Sequence, residues 1–214
     1  MSTASYHHGN LRQALVDEAV AVTRESGPDA IKIRDLARRV GVSHNAAYGH
    51  FANRDDLMAA VADHAYQRLV DAMHRRVAAV DTVDPVLRAR RRLAQIGRAY
   101  VEFAVAEPGL FRAAFTAPSR GDTLASAAGP YALLGSALDE LVDVGFLSPA
   151  ARPGAEVTCW SAVHGFSDLN IDGPLASASP DVRAATLDHV LVSIDRSYAA
   201  TTGSTVSDSD ILES

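Results

Sequence analysis

Hydrogen-bonding side chains crowd one short segment of the chain. They are His44, Asn45, Tyr48 and His50. If this segment is helical, Ala47 and Phe51 are four positions apart and face inward, which leaves the polar side chains on or beside the outer face. A short helix with donors and acceptors on its outer face fits the major groove of duplex DNA, where base edges can be contacted. The segment therefore predicts a DNA-binding helix.

A second group of chemically versatile side chains lies nearer the carboxyl end. Trp160, His164 and Asp168 follow one another at intervals of four residues, so they share one face of a helix. His164 and Asp168 could be metal ligands or an acid–base dyad, but no third His or Cys stands at ligand spacing. No Ser-His-Asp arrangement or glycine-rich phosphate loop is present either. We expect no metal, no cofactor and no enzyme activity, and a hydrolase built on this pair stays a weak alternative.

Two short helices joined by a glycine turn are predicted over residues 33–51. Leu36 and Val40 recur at helical spacing, and Gly41 stands where a helix ends in a left-handed residue. Ser43 is placed to cap the helix that follows. This arrangement is a helix-turn-helix.

The same region carries a family resemblance. From Ala37 to Leu57 the chain reads ARRVGVSHNAAYGHFANRDDL. The glycine turn, the Tyr-x-His-Phe ending and the Asn-Arg-Asp-Asp-Leu start of a long helix resemble the DNA-binding domain of the tetracycline-repressor (TetR) family of bacterial transcription regulators. Residues 6–15 look like that family's entry to its first helix. Residues 160–165, Trp-Ser-Ala-Val-His-Gly, are similar to the Trp-His-Gly signature of one C-terminal-domain subgroup.

The resemblance implies two kinds of DNA contact. Arg34 can bond guanine bidentately and Asn45 can do the same to adenine, and with His44 and Ala46 they would meet base edges. The remaining residues of the predicted DNA-binding surface would mostly hold phosphates without reading sequence. They are Lys32, Ser43, Tyr48, His50 and Arg54.

Two residues depart from the family pattern. Gly49 occupies a position where the family usually has a larger side chain, and glycine inside a helix costs about 1 kcal/mol relative to alanine. Lys32 stands at a helix cap that family members commonly fill with Ser or Thr, and its side chain cannot accept a backbone hydrogen bond. These departures leave open a protein that keeps the helical fold and sequesters small molecules without binding DNA.

Charge and composition limit the function further. The 214-residue chain has a formal net charge of −6, which argues against wholesale nucleic-acid binding. Residues 1–60 contain equal numbers of acidic and basic residues, so a DNA contact would depend on a few well-placed arginines. The single cysteine, Cys159, excludes an intramolecular disulfide, and we find neither a signal-peptide pattern nor an apolar run long enough for a membrane span. We expect a cytoplasmic protein without membrane contact.

The apolar periodicity predicts an all-α chain of about nine helices, without strand alternation or internal repeats. A three-helix DNA-binding domain is expected over 1–52, and a helical bundle for ligand binding and dimerisation over 53–200. Residues 201–214 are rich in Thr, Ser and Asp and are predicted to form a disordered tail. The pair His7 and His8 is interpreted as part of a flexible arm before the first helix.

The resemblance also implies a ligand pocket between helices of the second domain. Aromatic side chains at helical spacing are its candidate lining, although the same pattern is typical of a plain core. The candidates are Phe103, Phe111, Phe115, Tyr131, Trp160 and His164.

The implied assembly is a homodimer joined by the last two helices of each chain in a four-helix bundle. Its candidate apolar contacts are Val157, Ala162, Val190 and Ile194. The expected function is a ligand-responsive transcription regulator, with repression as the expected mode of action. It would bind a pseudo-palindromic double-stranded operator and be released by a small-molecule effector.

Overall fold

The computed structural model describes residues 11–116, 129–199 and 208–212. These residues contain ten α-helices and no strand, so the all-α prediction is confirmed. The helices are α1 (Leu11–Ser26), α2 (Ile33–Val40), α3 (His44–Tyr48), α4 (Arg54–Ala78), α5 (Pro85–Ala106), α6 (Pro108–Thr116), α7 (Pro130–Asp143), α8 (Ala155–Ile171), α9 (Pro180–Tyr198) and α10 (Asp208–Leu212). Within these ranges, no helix combines the length and the apolar content that crossing a bilayer requires. His7 and His8 lie outside the described residues.

Side-chain caps set where several helices begin. Ser43, Asn53 and Ser179 each accept a hydrogen bond from the backbone N–H three residues further on, at 3.2, 2.8 and 3.3 Å. The Asp84 carboxylate accepts two backbone N–H groups at the start of α5. Lys32 precedes α2 without a side-chain cap, as expected from its chemistry. The helix starts therefore follow local hydrogen bonding.

The described chain divides into two compact units, and the division falls inside α4. The first unit contains residues 11–66 and 107–116, and the second contains 67–106, 129–199 and 208–212. The domain boundary predicted between residues 52 and 53 differs from this division, because the first unit extends into α4 and also includes α6. That helix packs on α1.

Close packing joins α6 to α1 in the first unit. A Cβ atom added at Gly109 in α6 would overlap the carbonyl oxygen of Thr23 in α1. Only glycine permits this approach, because a backbone carbonyl cannot move aside as a flexible side chain can. A spacing pattern along one segment cannot reveal such a contact.

The second unit is arranged around α5, which packs against α7, α8, α9 and α10. Gly97 lets neighbouring helices approach α5 closely, since a Cβ atom there would lie 2.7 Å from Leu191 Cδ2 and 3.4 Å from Val163 Cγ1. Buried α5 residues include the charged side chains of Arg90 and Arg91. Buried charges require partners, and both arginines have them.

The predicted disordered tail contains α10, so the prediction is wrong for residues 208–212. The Ile211 side chain is 1% exposed. Arg91 Nε donates to the Asp210 carbonyl at 2.6 Å, and Gln95 Nε2 donates to the Leu212 carbonyl at 3.3 Å. The segment is ordered by these contacts with α5, which the composition of the tail does not indicate. The remaining tail residues lie outside the described ranges.

Ile211→Ala should lower the free energy of unfolding by about 2 kcal/mol, because it removes buried apolar atoms and leaves a cavity against α5. Val83→Ala is the matched control, since Val83 is 96% exposed and its truncation should change stability by less than about 0.5 kcal/mol. Urea denaturation of both variants measures the difference. Equal effects would contradict the docking of α10.

Candidate nucleic-acid interface and ligand cavity

The first candidate site is the outer face of α3. His44, Asn45, Tyr48 and His50 are exposed, whereas Ala47 is completely buried. The orientation predicted from helical spacing is therefore confirmed. Phe51 is also buried, at 2% exposure, so the inward side of this segment contributes to the core.

The turn before α3 has the expected helix-ending geometry. Gly41 has a φ of 79° in the left-handed region, where a side chain would be strained. Its N–H donates to the Arg38 carbonyl at 3.2 Å, and the Val42 N–H donates to the Ala37 carbonyl at 2.9 Å. These two bonds close α2 and direct the chain into α3.

The interpretation of Gly49 as a residue inside the helix is wrong. The helix α3 ends at Tyr48, and Gly49 is its C-cap with an ordinary φ of −65°. The Gly49 N–H donates to the Asn45 carbonyl at 3.0 Å. The cost expected for a glycine in a helix interior does not apply, because Gly49 lies at the end of α3.

The basic side chains near α3 differ in whether they form ion pairs within the protein. Arg38 pairs with Asp35 at 3.1 Å, and Arg39 pairs with Glu18 at 2.9 Å. Within the described ranges, no ion pair involves Lys32 or Arg34, and both side chains are exposed. Lys32 and Arg34 therefore keep a positive charge and hydrogen-bond donors that can contact a DNA phosphate or a guanine edge.

Arg54 has a structural role that sequence reasoning missed. Its Nη2 donates to the Pro28 carbonyl at 2.8 Å and its Nε donates to the Ile31 carbonyl at 3.3 Å. Its guanidinium also lies 3.6 Å from Asp29 Oδ1. Arg54 thereby ties the start of α4 to the turn before α2, while its side chain remains 43% exposed.

The second candidate site is a cavity in the second unit. It contains about 610 Å³ of space without protein atoms, part of which is open to solvent. Aliphatic and aromatic side chains make up most of its lining. A concave, mostly apolar site with a few polar groups is typical of small-molecule binding.

A hydrogen-bonded aromatic group forms part of the cavity wall. Trp160 Nε1 donates to the Tyr100 hydroxyl at 3.1 Å, and that hydroxyl lies 2.7 Å from His164 Nδ1. The Tyr131 and Trp160 rings lie 5.2 Å apart with planes inclined at 51°. His164 Nε2 is 3.8 Å from Asp168 Oδ2. The polar ends of Trp160 and His164 both have partners, as expected for partly buried side chains.

The predicted pocket residues fall in different places. Tyr131 and Trp160 line the cavity, whereas Phe103 and His164 are not among its described lining residues. Instead, the His164 ring contacts the hydroxyl of the lining residue Tyr100. Phe103 is 8% exposed and lies on α5.

Phe111 and Phe115 belong to α6 of the first unit. Their rings lie 4.9 Å apart, and Phe115 packs edge-on against Tyr66 at 5.5 Å. Both residues contribute to an aromatic cluster of that unit, and their predicted place in a ligand pocket stays a prediction.

A buried ion pair on the cavity wall was missed by the sequence reasoning. Arg90 Nε and Nη2 bond Asp195 Oδ1 and Oδ2 at 3.0 and 2.7 Å, with both side chains at most 6% exposed. The guanidinium carbon also lies 4.5 Å from the centre of the Phe146 ring. One signal could have found this pair. Asp195 stands in the apolar register of α9 with Leu191 and Tyr198, where a carboxylate needs a buried partner.

Cys159 also lines the cavity, and its thiol is unreactive. Burial raises the pKa of the Cys159 thiol, so it remains protonated at neutral pH. The Cys159 sulfur lies 3.5 Å from the Tyr198 hydroxyl, which donates to the Ala155 carbonyl at 3.0 Å. In the ranges that the structure describes, no three His, Cys, Asp or Glu side chains are grouped so that they could hold a metal ion.

The predicted dimer contacts lie on α8 and α9 with varied exposure. Val157 is 60% exposed, while Ala162, Val190 and Ile194 are half-buried, and Ile194 also lines the cavity. The same two helices expose large apolar side chains that the sequence reasoning did not single out. They are Leu169 at 44% and Val182 at 52% exposure.

Comparisons with protein families identify both parts of the chain. Residues 15–61 match the model described as "Bacterial regulatory proteins, tetR family". Residues 93–194 match the model described as "Tetracyclin repressor-like, C-terminal domain". Together, the two models span most of the chain.

Individual relatives agree with these matches. The HTH-type transcriptional repressor Rv3405c of Mycobacterium tuberculosis is 38% identical over 61 residues, which cover 28% of this chain and 32% of that protein. The chain therefore matches about a third of the length of this curated relative.

Solved structures resemble the chain over nearly its whole length. A protein with unknown function from Rhodococcus sp. RHA1 is 28% identical, with a TM-score of 0.73 and coverage of 92% of this chain and 100% of that one. A TetR variant from Acinetobacter baumannii AYE, solved in complex with minocycline, is 17% identical with a TM-score of 0.58, covering 88% and 98%. The second likeness shows the fold alone.

Ser43→Ala should lower the free energy of unfolding by about 1 kcal/mol, because the N–H of Ala46 loses its side-chain acceptor. Ser43→Asn is the matched variant, since asparagine caps as well as serine and should leave stability nearly unchanged. Thermal unfolding followed by circular dichroism distinguishes them. If Ser43→Ala and Ser43→Asn melted at the same temperature, the cap would contribute nothing to the free energy of unfolding.

Proposed function

Because the chain belongs to the tetracycline-repressor (TetR) family of bacterial transcription regulators, we propose that it is a ligand-responsive repressor. It binds a pseudo-palindromic operator as a homodimer, and a small molecule in the cavity of the second unit releases it. The observation that carries the proposal is the exposed polar face of α3, held in place by the Gly41 turn and the Ser43 cap.

Base reading is assigned to the exposed side chains of α2 and α3. Arg34 can donate two hydrogen bonds to guanine, and Asn45 can pair with adenine through its amide. His44 and Ala46 complete the face that meets base edges. Arg34 suits this role because it is exposed and forms no ion pair within the described part of the chain.

Phosphate contacts are assigned to the residues around this face. Tyr48 and His50 are exposed and carry hydrogen-bond donors, and Lys32 adds an exposed positive charge. Ser43 supports these phosphate contacts by capping the start of α3. Arg54 contributes the guanidinium donors that its bonds to Pro28 and Ile31 do not use.

The homodimer is assigned to α8 and α9. Exposed apolar side chains on a helix surface favour contact with a partner, and Val157, Leu169 and Val182 lie on these two helices. Ala162, Val190 and Ile194 are proposed to complete the contact. A two-fold dimer would place the recognition helices about 34–36 Å apart, one turn of DNA.

An effector can release the dimer from DNA only if it binds one dimer conformation more tightly than the other. A ligand that binds both equally cannot shift their populations, however tightly it binds. The minocycline complex of the Acinetobacter TetR variant supports a ligand site in a protein of this fold. We therefore assign effector binding to the cavity that contains Tyr131 and Trp160.

Arg34→Ala should relax sequence preference at one operator base pair, costing roughly 1–3 kcal/mol of discrimination at that position. Fluorescence anisotropy with DNA from upstream of the chain's own gene, and with single-base variants of it, measures this. Arg39→Ala is the control, because Arg39 is already paired with Glu18. Equal weakening on all sequences would make Arg34 a phosphate contact.

The same experiment tests the proposed function as a whole. Binding of upstream DNA at low salt supports the regulator. An absence of DNA binding at low salt, together with retained ligand binding, would favour a protein that sequesters small molecules.

Val157→Asp should shift the chain from dimer to monomer, because it places a charge in a proposed apolar interface. Val83→Asp is the matched control at a position that is 96% exposed and lies outside α8 and α9. Analytical ultracentrifugation measures the oligomeric state of each. A dimer that survives Val157→Asp unchanged would exclude this residue from the interface.

A further inference from the structure

The charges on the cavity wall neutralise each other. Of the described residues that line the cavity, Arg90 and Asp195 are the ones that carry a formal charge. They are joined by two hydrogen bonds of 3.0 and 2.7 Å. Both side chains are at most 6% exposed, so the pair is shielded from solvent. A molecule entering the cavity therefore meets a wall without net charge.

The polar groups of Trp160 and Cys159 on the wall are also uncharged and engaged. The single indole N–H of Trp160 is donated to the Tyr100 hydroxyl. The Cys159 thiol is kept neutral by burial, which raises its pKa. The indole therefore presents its ring surface, rather than its donor, to a ligand.

From this wall we propose that the effector is an uncharged, largely apolar molecule with a flat ring. The inference rests on the proposed function, since it concerns the cavity that the effector is proposed to occupy. A charged ligand would lose its hydration on entry and would find each countercharge already paired. An uncharged ligand avoids this penalty and gains from the burial of its apolar surface.

The ring requirement follows from the aromatic side chains. The Tyr131 and Trp160 rings are inclined at 51°, with centres 5.2 Å apart, so they present two differently oriented surfaces. A third ring can pack edge-to-face or offset against such surfaces. Aliphatic side chains, including Leu93, Val163 and Leu191, supply further apolar contact.

The test uses the full chain and three probes with one carbon skeleton. Cinnamyl alcohol is uncharged, cinnamate is negative and cinnamylamine is positive at neutral pH. Calorimetry measures the affinity of each. Emission of Trp160, the one tryptophan in the chain, reports whether the probe enters the cavity.

Cinnamyl alcohol should bind and change the Trp160 emission, and each ion should bind at least roughly tenfold more weakly. Equal or tighter binding of either ion would overturn the proposal. Failure of the alcohol to bind, or binding without a change in Trp160 emission, would also overturn it.

A charge substitution tests the physical cause. Asp195→Asn leaves the Arg90 cation without its carboxylate, so cinnamate should bind roughly tenfold or more tightly than it binds the native chain. Asp188→Asn is the matched control, because Asp188 pairs with Arg98 between the same two helices but does not line the cavity. A cinnamate affinity unaffected by Asp195→Asn in a folded variant would show that the ion pair does not set the charge preference. If melting curves show that this variant does not fold, the three probes on the native chain decide the question.

The two proposals fail separately. Operator binding without any response to cinnamyl alcohol would contradict the ligand class and leave the regulator standing. Cavity binding of the alcohol by a chain that does not bind operator at low salt would contradict the regulator and leave the ligand class standing.

Discussion

The second unit depends on the buried pair of Arg90 on α5 and Asp195 on α9. Removing two charges from water is expensive, and the cost is offset only when geometry is good and the remaining hydrogen bonds are made. Two bonds to the carboxylate supply this geometry, and the guanidinium carbon also lies 4.5 Å from the centre of the Phe146 ring. The pair therefore restricts how α5 and α9 can pack, and it also gives the adjoining cavity its neutral wall.

The first unit depends on a different constraint, the direction in which α3 leaves the turn. Gly41 supplies the left-handed residue that ends α2, and Ser43 supplies the cap that begins α3. Because α3 has only five residues, its own hydrogen bonds cannot hold it as an isolated helix. Burial of Ala47 and Phe51 provides the anchorage, which leaves the polar side chains facing outward.

In each unit, packed side chains hold in place the groups that are available to a binding partner. In the first, a buried apolar side positions exposed hydrogen-bonding groups on α3. In the second, the Trp160 indole on the cavity wall is held by its hydrogen bond to the Tyr100 hydroxyl. A hydrogen-bonded aromatic side chain of this kind loses little further freedom when a ligand binds, which favours affinity.

What the sequence determined by itself is local. The Gly41 turn, the cap at Ser43 and the outward face of α3 involve residues within a few positions of one another, so spacing predicts them. The tertiary structure alone decided that Asp195 pairs with Arg90, 105 residues away, and that Ile211 is buried against α5. It also placed Phe111 and Phe115 in the first unit. The physical reason is that these partners are chosen by how helices pack, and helix packing depends on side chains that are distant in sequence.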